Sequence, residues 1–170
     1  MKSLKIIFLL IIISFSSATS FQELSLEDML ERSQIAFFGK VSAIETIEKQ
    51  AEPWTKVSFE ILKPFLGVDD KTEISLLFYG GNINNKNTLV SLMPQFSLDE
   101  NILILAYKNE YYSPIVGFRQ GLWREQALGL IDETNRTLSL DKDSKLILDG
   151  EGASTTDLLS AFEKAFEAKK

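Results

Sequence analysis

Hydrophobic and polar residues follow three different patterns along this chain. Residues 6–13 form an unbroken apolar run, several short segments after Ile35 alternate with a period of two, and the residues after Ser154 repeat with the period of a helix. Alternation with period two is typical of strands that bury one face. The sequence therefore predicts an apolar leader, a mainly β body and a terminal helix.

The body begins with the signals of a short helix and a long hairpin. Ser25 can cap a helix that ends near Ser33, because its hydroxyl can accept a hydrogen bond from the first turn. Residues 35–47 predict a long strand that bends near Gly39, and residues 55–62 predict its hairpin partner. In the partner strand we expect Val57, Phe59 and Ile61 to face the core and Lys56, Ser58 and Glu60 to face water.

The remaining predicted strands are short and are separated by residues that favour turns. Stretches rich in Pro, Gly, Asn or Asp, such as residues 63–70 and 82–87, predict loops. The predicted strands cover residues 73–79, 88–92, 101–107, 111–118 and 122–124, and a small hairpin is expected between residues 128–131 and 137–140.

A final amphipathic helix is predicted after these strands. One of Ser154, Thr155 and Thr156 caps it, and its polar face carries both Glu163 and Lys164 rather than the basic excess of a membrane-surface helix. We expect its apolar face to pack on the β body. This face consists of Leu158, Leu159, Phe162, Ala165 and Phe166.

The predicted elements indicate the fold class. Six or seven strands at short spacing, with turn signals between them and few helices, are typical of a β-sandwich or a β-barrel. A long first strand with a bend favours a small barrel, since bending allows a few strands to close. We expect a mainly β protein, a small closed OB-like barrel with a short N-terminal helix and a C-terminal amphipathic helix.

Residues 1–20 have the layout of a signal peptide. Lys2 and Lys5 precede the apolar run, and Ala18 and Ser20 are small residues at the −3 and −1 positions of a cleavage site before Phe21. A membrane anchor is the alternative, but a spanning helix needs about 20 apolar residues. We expect cleavage, a periplasmic or extracellular location, no stable membrane span afterwards, and one domain over residues 21–170.

Composition narrows the chemistry further. The 170 residues include no histidine and no cysteine, which excludes disulfides, thiol nucleophiles, histidine triads and zinc sites built from these residues. Cleavage would remove two lysines and no acids, which takes the formal net charge from −6 to −8. Nucleic-acid binding is not expected, because phosphate recognition needs a basic surface. No cofactor, metal site or catalytic residue is expected either.

Six motifs in a fixed order give the chain a resemblance to known proteins. The motifs are residues 37–41 (FFGKV), 54–59 (WTKVSF), 61–67 (ILKPFLG), 79–81 (YGG), 94–105 with PQF and DENILIL, and 116–123 (VGFRQGLW). The set resembles an uncharacterised family of exported bacterial proteins, which is in turn similar to netrin-like domains and tissue inhibitors of metalloproteinases. The resemblance covers about residues 33–124 and implies an exported OB-type barrel.

The resemblance does not extend to the zinc chemistry of the metalloproteinase inhibitors. Those inhibitors chelate the zinc of the protease through the amine and carbonyl of an N-terminal cysteine. Phe21 would begin the mature chain here, and it has no disulfide to anchor it. We therefore expect any binding to use the shape and chemistry of the surface.

The candidate binding residues lie in one loop and one tyrosine pair. Asn and Gly in residues 80–87 can bring backbone groups close to a ligand; the alternative is a hairpin that needs positive φ angles. Six aromatic residues could also form a patch for a glycan or a protein, with core packing as the alternative for most of them: Trp54, Tyr79, Phe96, Tyr111, Tyr112 and Trp123. The predicted site residues are Tyr79, Gly80, Gly81, Asn82, Tyr111 and Tyr112.

Two further patterns are weak matches to known sites. Residues 141–151 are rich in acids but do not fit a calcium-binding EF-hand, because Leu146 and Gly152 stand where Gly and Glu are required. A solvated acidic turn is the better interpretation. Ser139 and Lys142 match the Ser-x-x-Lys motif without the companion motifs of penicillin-recognising enzymes.

Three hypotheses for the function follow. The first is an exported, non-enzymatic binding domain with a protein partner in the envelope or the medium, such as a secreted protease. The second is a small hydrolase or carbohydrate-active protein that uses Asp and Glu alone, which would need a deep pocket with two carboxylates. The third is a structural component of the envelope, which would self-associate.

Overall fold

The structure is a computed structural model, and it describes residues 22–84, 86–109 and 111–167. The predicted signal peptide, residues 1–20, and its cleavage site before Phe21 lie outside the described residues. Within the described ranges, no helix has both the length and the apolar character that crossing a membrane requires.

The described chain contains short and long strands between two helices. The elements are α1 (Leu26–Arg32), β1 (Ile35–Lys49), β2 (Glu52–Leu66), β3 (Glu73–Tyr79), β4 (Gly81–Ile83), β5 (Lys86–Thr88), β6 (Asn101–Ala106), β7 (Leu122–Gln126), β8 (Gly129–Asp132), β9 (Leu138–Leu140), β10 (Leu146–Leu148) and α2 (Thr155–Glu167). The mainly β class that the sequence predicts is thus confirmed.

β1 and β6 lie at the centre of the main sheet. Its strand order is β3-β2-β1-β6-β7-β8, with antiparallel neighbours throughout, and β4-β5 and β9-β10 form two small separate sheets. Among the described residues, no hydrogen-bond ladder joins β8 back to β3, so strand pairing does not close the sheet into a barrel. β3 is therefore an edge strand.

The irregularity predicted near Gly39 is present in β1. The register of the β1–β2 pair shifts between Phe38 and Gly39, and again on either side of this point. A Cβ atom at position 39 would lie 2.7 Å from the carbonyl oxygen of Glu60 in β2. Glycine is needed here because the two strands approach each other more closely than any side chain allows.

The main sheet separates two hydrophobic clusters. In β6, Leu103 and Leu105 belong to one cluster while Ile102 and Ile104 belong to the other, as expected for a strand that is apolar on both faces. α1, α2 and β9 cover the first cluster. The second cluster is lined by buried side chains of β1, β2 and β3, including Phe37, Val57, Phe59, Ile74, Leu76 and Phe78.

Both predicted helices are confirmed. Ser25 caps α1, with its hydroxyl oxygen accepting from the Asp28 N–H at 3.0 Å. Ser154 performs the same role before α2, where it accepts from the Asp157 N–H at 3.2 Å. The buried face of α2 consists of Leu158, Phe162 and Phe166, and it packs on the sheet as predicted.

The first described residues are attached to a distant turn. The side chain of Gln120, just before β7, accepts from the Leu24 N–H at 2.8 Å and donates to the Gln22 carbonyl oxygen at 3.0 Å. Glu23 forms an ion pair with Arg136. The N-terminal segment is therefore part of the folded domain.

The strand predicted over residues 88–92 is wrong. Positive φ angles at Gly80 and Gly81 end β3, and the polar residues that follow pair with themselves as the β4–β5 hairpin. In this hairpin Gly81 lies opposite Thr88, where β5 ends. The polar character of residues 82–87 concealed these strands, because short edge hairpins need no buried face.

The strand predicted over residues 111–118 is also wrong. Residues 113–118 form a turn in which the Ser113 hydroxyl donates to the Phe118 carbonyl oxygen, and both Gly117 and Phe118 have positive φ angles. One isolated bridge, between Ala106 and Ile115, joins this segment to β6. The apolar residues that suggest a strand are buried because Ile115 packs in the second cluster and Val116 in the first.

Several smaller expectations need correction. β2 is longer than predicted at both ends: it starts at Glu52 and continues into the predicted loop as far as Leu66. It starts early because Gln50 and Ala51, both with positive φ angles, form a tight turn that brings β1 and β2 together at once. Ser58 is buried rather than exposed, and its hydroxyl lies 2.9 Å from the hydroxyl of Ser75. The predicted hairpin after residue 128 is partly wrong, since β9 pairs with β10 rather than β8.

Candidate aromatic binding site

Three aromatic side chains meet where β3 ends. Tyr79 contacts Trp54 at a centroid distance of 5.3 Å and Tyr112 at 4.7 Å, and Trp54 and Tyr112 are nearly parallel at 6.4 Å. We call Trp54, Tyr79 and Tyr112 the aromatic cluster. Each ring contacts the other two, so the cluster is a preformed surface.

Strand pairing and one backbone hydrogen bond position the cluster. Trp54 and Tyr79 lie opposite each other in the β2–β3 ladder. The Tyr79 N–H donates to the carbonyl oxygen of Tyr112 at 2.7 Å, which connects the edge of β3 to the segment after β6. The side chains are therefore brought together by backbone geometry rather than by contact between flexible loops.

The outer part of this site is exposed to solvent. Tyr112 is 63% exposed and the adjacent Tyr111 is 50% exposed, while Trp54 and Tyr79 are half-buried. A depression of about 320 Å³ lies between Lys49, Gln50, Trp54 and the two tyrosines. Exposed aromatic rings that pack on other rings are typical of binding surfaces, since they offer contact area at a small entropic cost.

Charged groups surround the cluster. The Lys49 amine lies 5.1 Å from the centre of the Trp54 ring, a cation–π contact. The Tyr79 hydroxyl donates to the Glu52 carboxylate at 3.3 Å, and the Lys86 amine lies 2.8 Å from the same carboxylate. The site therefore offers both apolar ring faces and a polar network at its margin.

The polar network changes two pKa values. Burial of the hydroxyl raises the pKa of Tyr79 above its ordinary value of 10.0, and the neighbouring Glu52 carboxylate raises it further. The hydrogen bond from Lys86 lowers the pKa of Glu52 below its ordinary value of 4.5. At neutral pH the Tyr79 hydroxyl is therefore protonated and donates to an ionised carboxylate.

The structure brings together some of the predicted site residues and separates others. Tyr79, Tyr111 and Tyr112 lie at or beside the aromatic cluster. Gly80 and Gly81 line a different depression of about 240 Å³ between the β4–β5 hairpin and Phe96. Asn82 is exposed in β4, opposite Asn87. The glycines have the positive φ angles that the hairpin interpretation requires.

The structure does not bring the six aromatic residues of the predicted patch together on one surface. Trp123 is fully buried, and Phe96 packs on Phe59 and Phe78 with centroid distances of 5.8 and 4.8 Å. Core packing therefore accounts for these two rings. It does not account for Tyr111 and Tyr112, which are exposed because residues 113–118 turn back toward β6.

Four contributors to this site are absent from the predicted site residues. Trp54 belongs only to the predicted aromatic patch, and no sequence pattern points to Lys49, Glu52 or Lys86. Pairing the two segments that form β2 and β3 places Trp54 opposite Tyr79. The strand register therefore contains the signal that Trp54 belongs to the site. The position of Lys86 depends on the unexpected β4–β5 hairpin.

Two other regions with sequence patterns typical of sites, the acidic stretch 141–151 and Ser139, have structural roles. Asp141 accepts from the N–H groups of Asp143 and Lys145, which makes the acidic stretch a closed turn, and the described residues hold no cluster of acids suited to a metal ion. Ser139 is fully buried and its hydroxyl donates to the Glu151 carbonyl oxygen. Neither arrangement presents a reactive group to solvent.

A group of arginines near β7 and β8 is neutralised by acids. Arg124 lies 3.1 Å from Glu133, and the Arg136 Nε donates to Asp132 at 2.8 Å. Arg119 also faces Glu133, at 3.6 Å. These arginines therefore do not form a basic surface for phosphate groups.

Comparison of the chain with models of protein families, with curated proteins and with solved structures finds no match. The function must be argued from the site itself.

Proposed function

We propose that this protein is an exported, non-enzymatic binding domain whose aromatic cluster, together with Tyr111, contacts a protein partner in the envelope or the medium. The observation that carries the proposal is the preformed aromatic surface with two tyrosines that are at least half exposed. Tyr and Trp are enriched in protein interfaces and contribute much of their binding energy.

The chemistry of the cluster favours a protein partner. Rigid rings can bury apolar groups, while Lys49, Glu52 and the Tyr79 hydroxyl provide polar contacts of both signs at the margin. A hydrophobic centre with a polar rim is the usual arrangement of such interfaces. The depression beside Trp54, of about 320 Å³, has room for an inserted side chain of the partner.

The proposal also includes export and an OB-like barrel. Lys2 and Lys5, the apolar run and the small residues before Phe21 support export by a cleaved signal peptide. Edman sequencing of the protein recovered outside the cytoplasm tests export; the expected first residue is Phe21.

The Tyr79–Tyr112 hydrogen bond and the Ala106–Ile115 bridge support closure of the sheet into a barrel, because they extend the wall of the sheet from β6 towards β3.

Affinity capture tests the binding function. The purified protein is immobilised and exposed to envelope extract and spent medium from the source organism, and bound proteins are identified by mass spectrometry. We expect a partner that is captured by the unmodified protein and lost when Tyr111 and Tyr112 are both replaced by Ala. The exposed positions of these residues make the double variant compatible with folding, which circular dichroism verifies.

The matched control is Leu128→Ala. Leu128 is 77% exposed, lies in the turn between β7 and β8 and belongs to neither the cluster nor its rim. This variant should capture the partner as well as the unmodified protein does. Capture that survives the double tyrosine variant would remove the cluster from the binding site, and absence of any enriched protein would count against a binding function.

A further inference from the structure

A second surface lies along the free edge of β3. A groove of about 350 Å³ runs between this strand and the segment after β6. Its first wall includes Lys71 and residues 74–77, and its second wall includes residues 107–109 and Pro114. The walls converge at the end of β3, where the Tyr79 N–H bonds to Tyr112. The groove is thus a gap beside an edge strand that is closed at one end.

The backbone of β3 presents hydrogen-bonding groups to this gap. The Tyr79 N–H points away from β2, whereas the Thr72 carbonyl oxygen and the Gly80 N–H bond to residues of β2. Because orientation alternates along a strand, the N–H and C=O groups of Ser75 and Leu77 point into the groove. No hydrogen bond between these groups and another described residue is present.

The floor of the groove is apolar and belongs to the second hydrophobic cluster. Ile35, Ile74 and Leu76 retain 8, 9 and 5% exposure, and all three line the groove. Alternate side chains of β3 therefore face the cluster beneath the gap. An added strand would place its own alternate side chains on this floor, in the manner of a regular sheet.

Two lysines lie at the rim, one from each wall. Lys71 and Lys108 are the charged residues among those that line the groove, and neither forms an ion pair with a described residue. Lys108 is held in place, since its N–H donates to the Gln34 side chain at 2.9 Å. The chain as a whole is acidic, with a formal net charge of −6, whereas both charged residues that line this groove are basic.

We propose that this groove binds an extended peptide segment of a partner protein by adding it as a strand to the edge of β3. The segment carries apolar side chains at alternate positions, which face Ile35, Ile74 and Leu76, and a carboxylate near Lys108. The main chain supplies the hydrogen bonds and the alternate side chains supply specificity. This surface is distinct from the aromatic cluster, and the proposal stands without it.

Titration with a synthetic peptide tests the proposal. The probe is a capped peptide of about six residues, the common length of a strand, with the sequence Glu-Val-Thr-Val-Thr-Val. Amide NMR of the purified protein should show fast hydrogen exchange at Ser75 and Leu77 without peptide and slowed exchange with it. Slow exchange at both positions in the free monomer would overturn the proposal, because the gap would then already be occupied.

Two controls separate strand addition from nonspecific contact. The same peptide with N-methyl groups on alternate residues keeps its side chains but loses the donors that face β3, so it should not slow exchange at Ser75 or Leu77. Leu77→Pro removes one donor on the free edge and leaves the β2 ladder intact. We expect it to weaken binding of the unmodified peptide about tenfold, the loss expected for one backbone hydrogen bond.

The charge requirement is tested in the same way. Lys108→Glu should weaken binding of the probe, whereas Lys142→Glu, at an exposed turn outside the groove, should not. Equal binding of the methylated and unmethylated peptides would refute strand addition. Protection of Ser75 and Leu77 in a dimer detected by sedimentation would instead assign the groove to a second copy of this chain and overturn the proposal of a peptide partner.

Discussion

The backbone N–H of Tyr79 donates to the carbonyl oxygen of Tyr112, at an N···O distance of 2.7 Å. This one bond joins the edge strand of the main sheet to the segment that follows β6, and it holds the two phenol rings 4.7 Å apart. It also marks the boundary between the two proposed surfaces, with the aromatic cluster on one side and the open groove on the other.

Replacing Glu52 should change the titration of Tyr79. We expect Glu52→Gln to lower the pKa of Tyr79, because the anion that disfavours the phenolate is removed, while burial of the hydroxyl keeps the pKa above 10.0. The measurement is a pH titration of tyrosine ring signals by NMR. Tyr79→Phe assigns the signal, and Glu45→Gln, at an exposed acid paired with Lys56, is the matched control. An unchanged pKa in Glu52→Gln would contradict the network.

Gly39→Ala should destabilise the fold. The new Cβ would lie 2.7 Å from the Glu60 carbonyl oxygen and 3.0 Å from the Phe37 ring, so β1 and β2 must separate locally. Overpacking of this kind costs about 1–3 kcal/mol. Urea denaturation measures the loss, and Ser42→Ala in an exposed position of the same strand should change stability little. Equal effects of the two variants would show that close packing at residue 39 is unimportant.

Trp123→Phe should be tolerated unusually well for a fully buried tryptophan. The indole N–H is buried and forms no hydrogen bond with any described residue. Its removal recovers about 1–3 kcal/mol of desolvation, which offsets the cavity left by the smaller ring.

Phe162→Ala is the comparison for the tryptophan variant. Phe162 belongs to the same cluster, is equally buried and has no polar group, so its truncation should cost about 3–5 kcal/mol. Both variants are measured by urea denaturation. If Trp123→Phe proved as costly as Phe162→Ala, the indole N–H would have to be satisfied by an ordered water.

Asp132→Asn should weaken the fold in a pH-dependent way. Burial opposes ionisation of Asp132, but hydrogen bonds from the backbone and side chains of Arg136 and Thr134 outweigh it and lower the pKa of Asp132 below its ordinary value of 3.8. A carboxylate with a lowered folded pKa stabilises the protein above its unfolded pKa, and this stabilisation is lost as the pH falls through the folded pKa.

The expected difference is therefore largest near neutral pH. There the unmodified protein should exceed Asp132→Asn by about 1.5–3 kcal/mol in unfolding free energy, and the gap should narrow as the pH falls from the unfolded pKa through the lowered folded pKa of Asp132. Asp141→Asn, which changes a more exposed carboxylate in a similar turn, is the control. A gap that stayed constant with pH would show that ionisation of Asp132 contributes nothing.

Local patterns predicted the parts of the fold that local physics determines. Ser25 and Ser154 cap the helices where the sequence placed caps, because a cap depends on the next few residues only. Alternation identified β2 and β3. The bend of β1 at Gly39 was also predicted, since a lone glycine in a strand pattern signals a close approach of the backbone.

Non-local contacts explain the failures. Residues 113–118 look like a strand because their apolar side chains are buried by β6 and its neighbours, although their own backbone forms a turn. For the same reason Tyr112 is exposed and reaches Tyr79, a relationship that no pattern within either segment reveals. The sequence therefore predicts the tyrosines of the candidate site. Trp54 joins them only through the pairing of β2 with β3, which is a relationship between two separate segments.

The attachment of the first described residues to Gln120 has a consequence for folding kinetics. Leu24 and Gln120 are 96 residues apart, Glu23 and Arg136 are 113 apart, and Lys63 and Glu163 are 100 apart. Contacts of such sequence separation raise the contact order, and chains of this kind fold in roughly milliseconds to seconds rather than microseconds. The β1–β2 hairpin needs only a two-residue turn and can form early, whereas the N-terminal segment can complete its contacts only after both Gln120 and Arg136 have joined the folding domain.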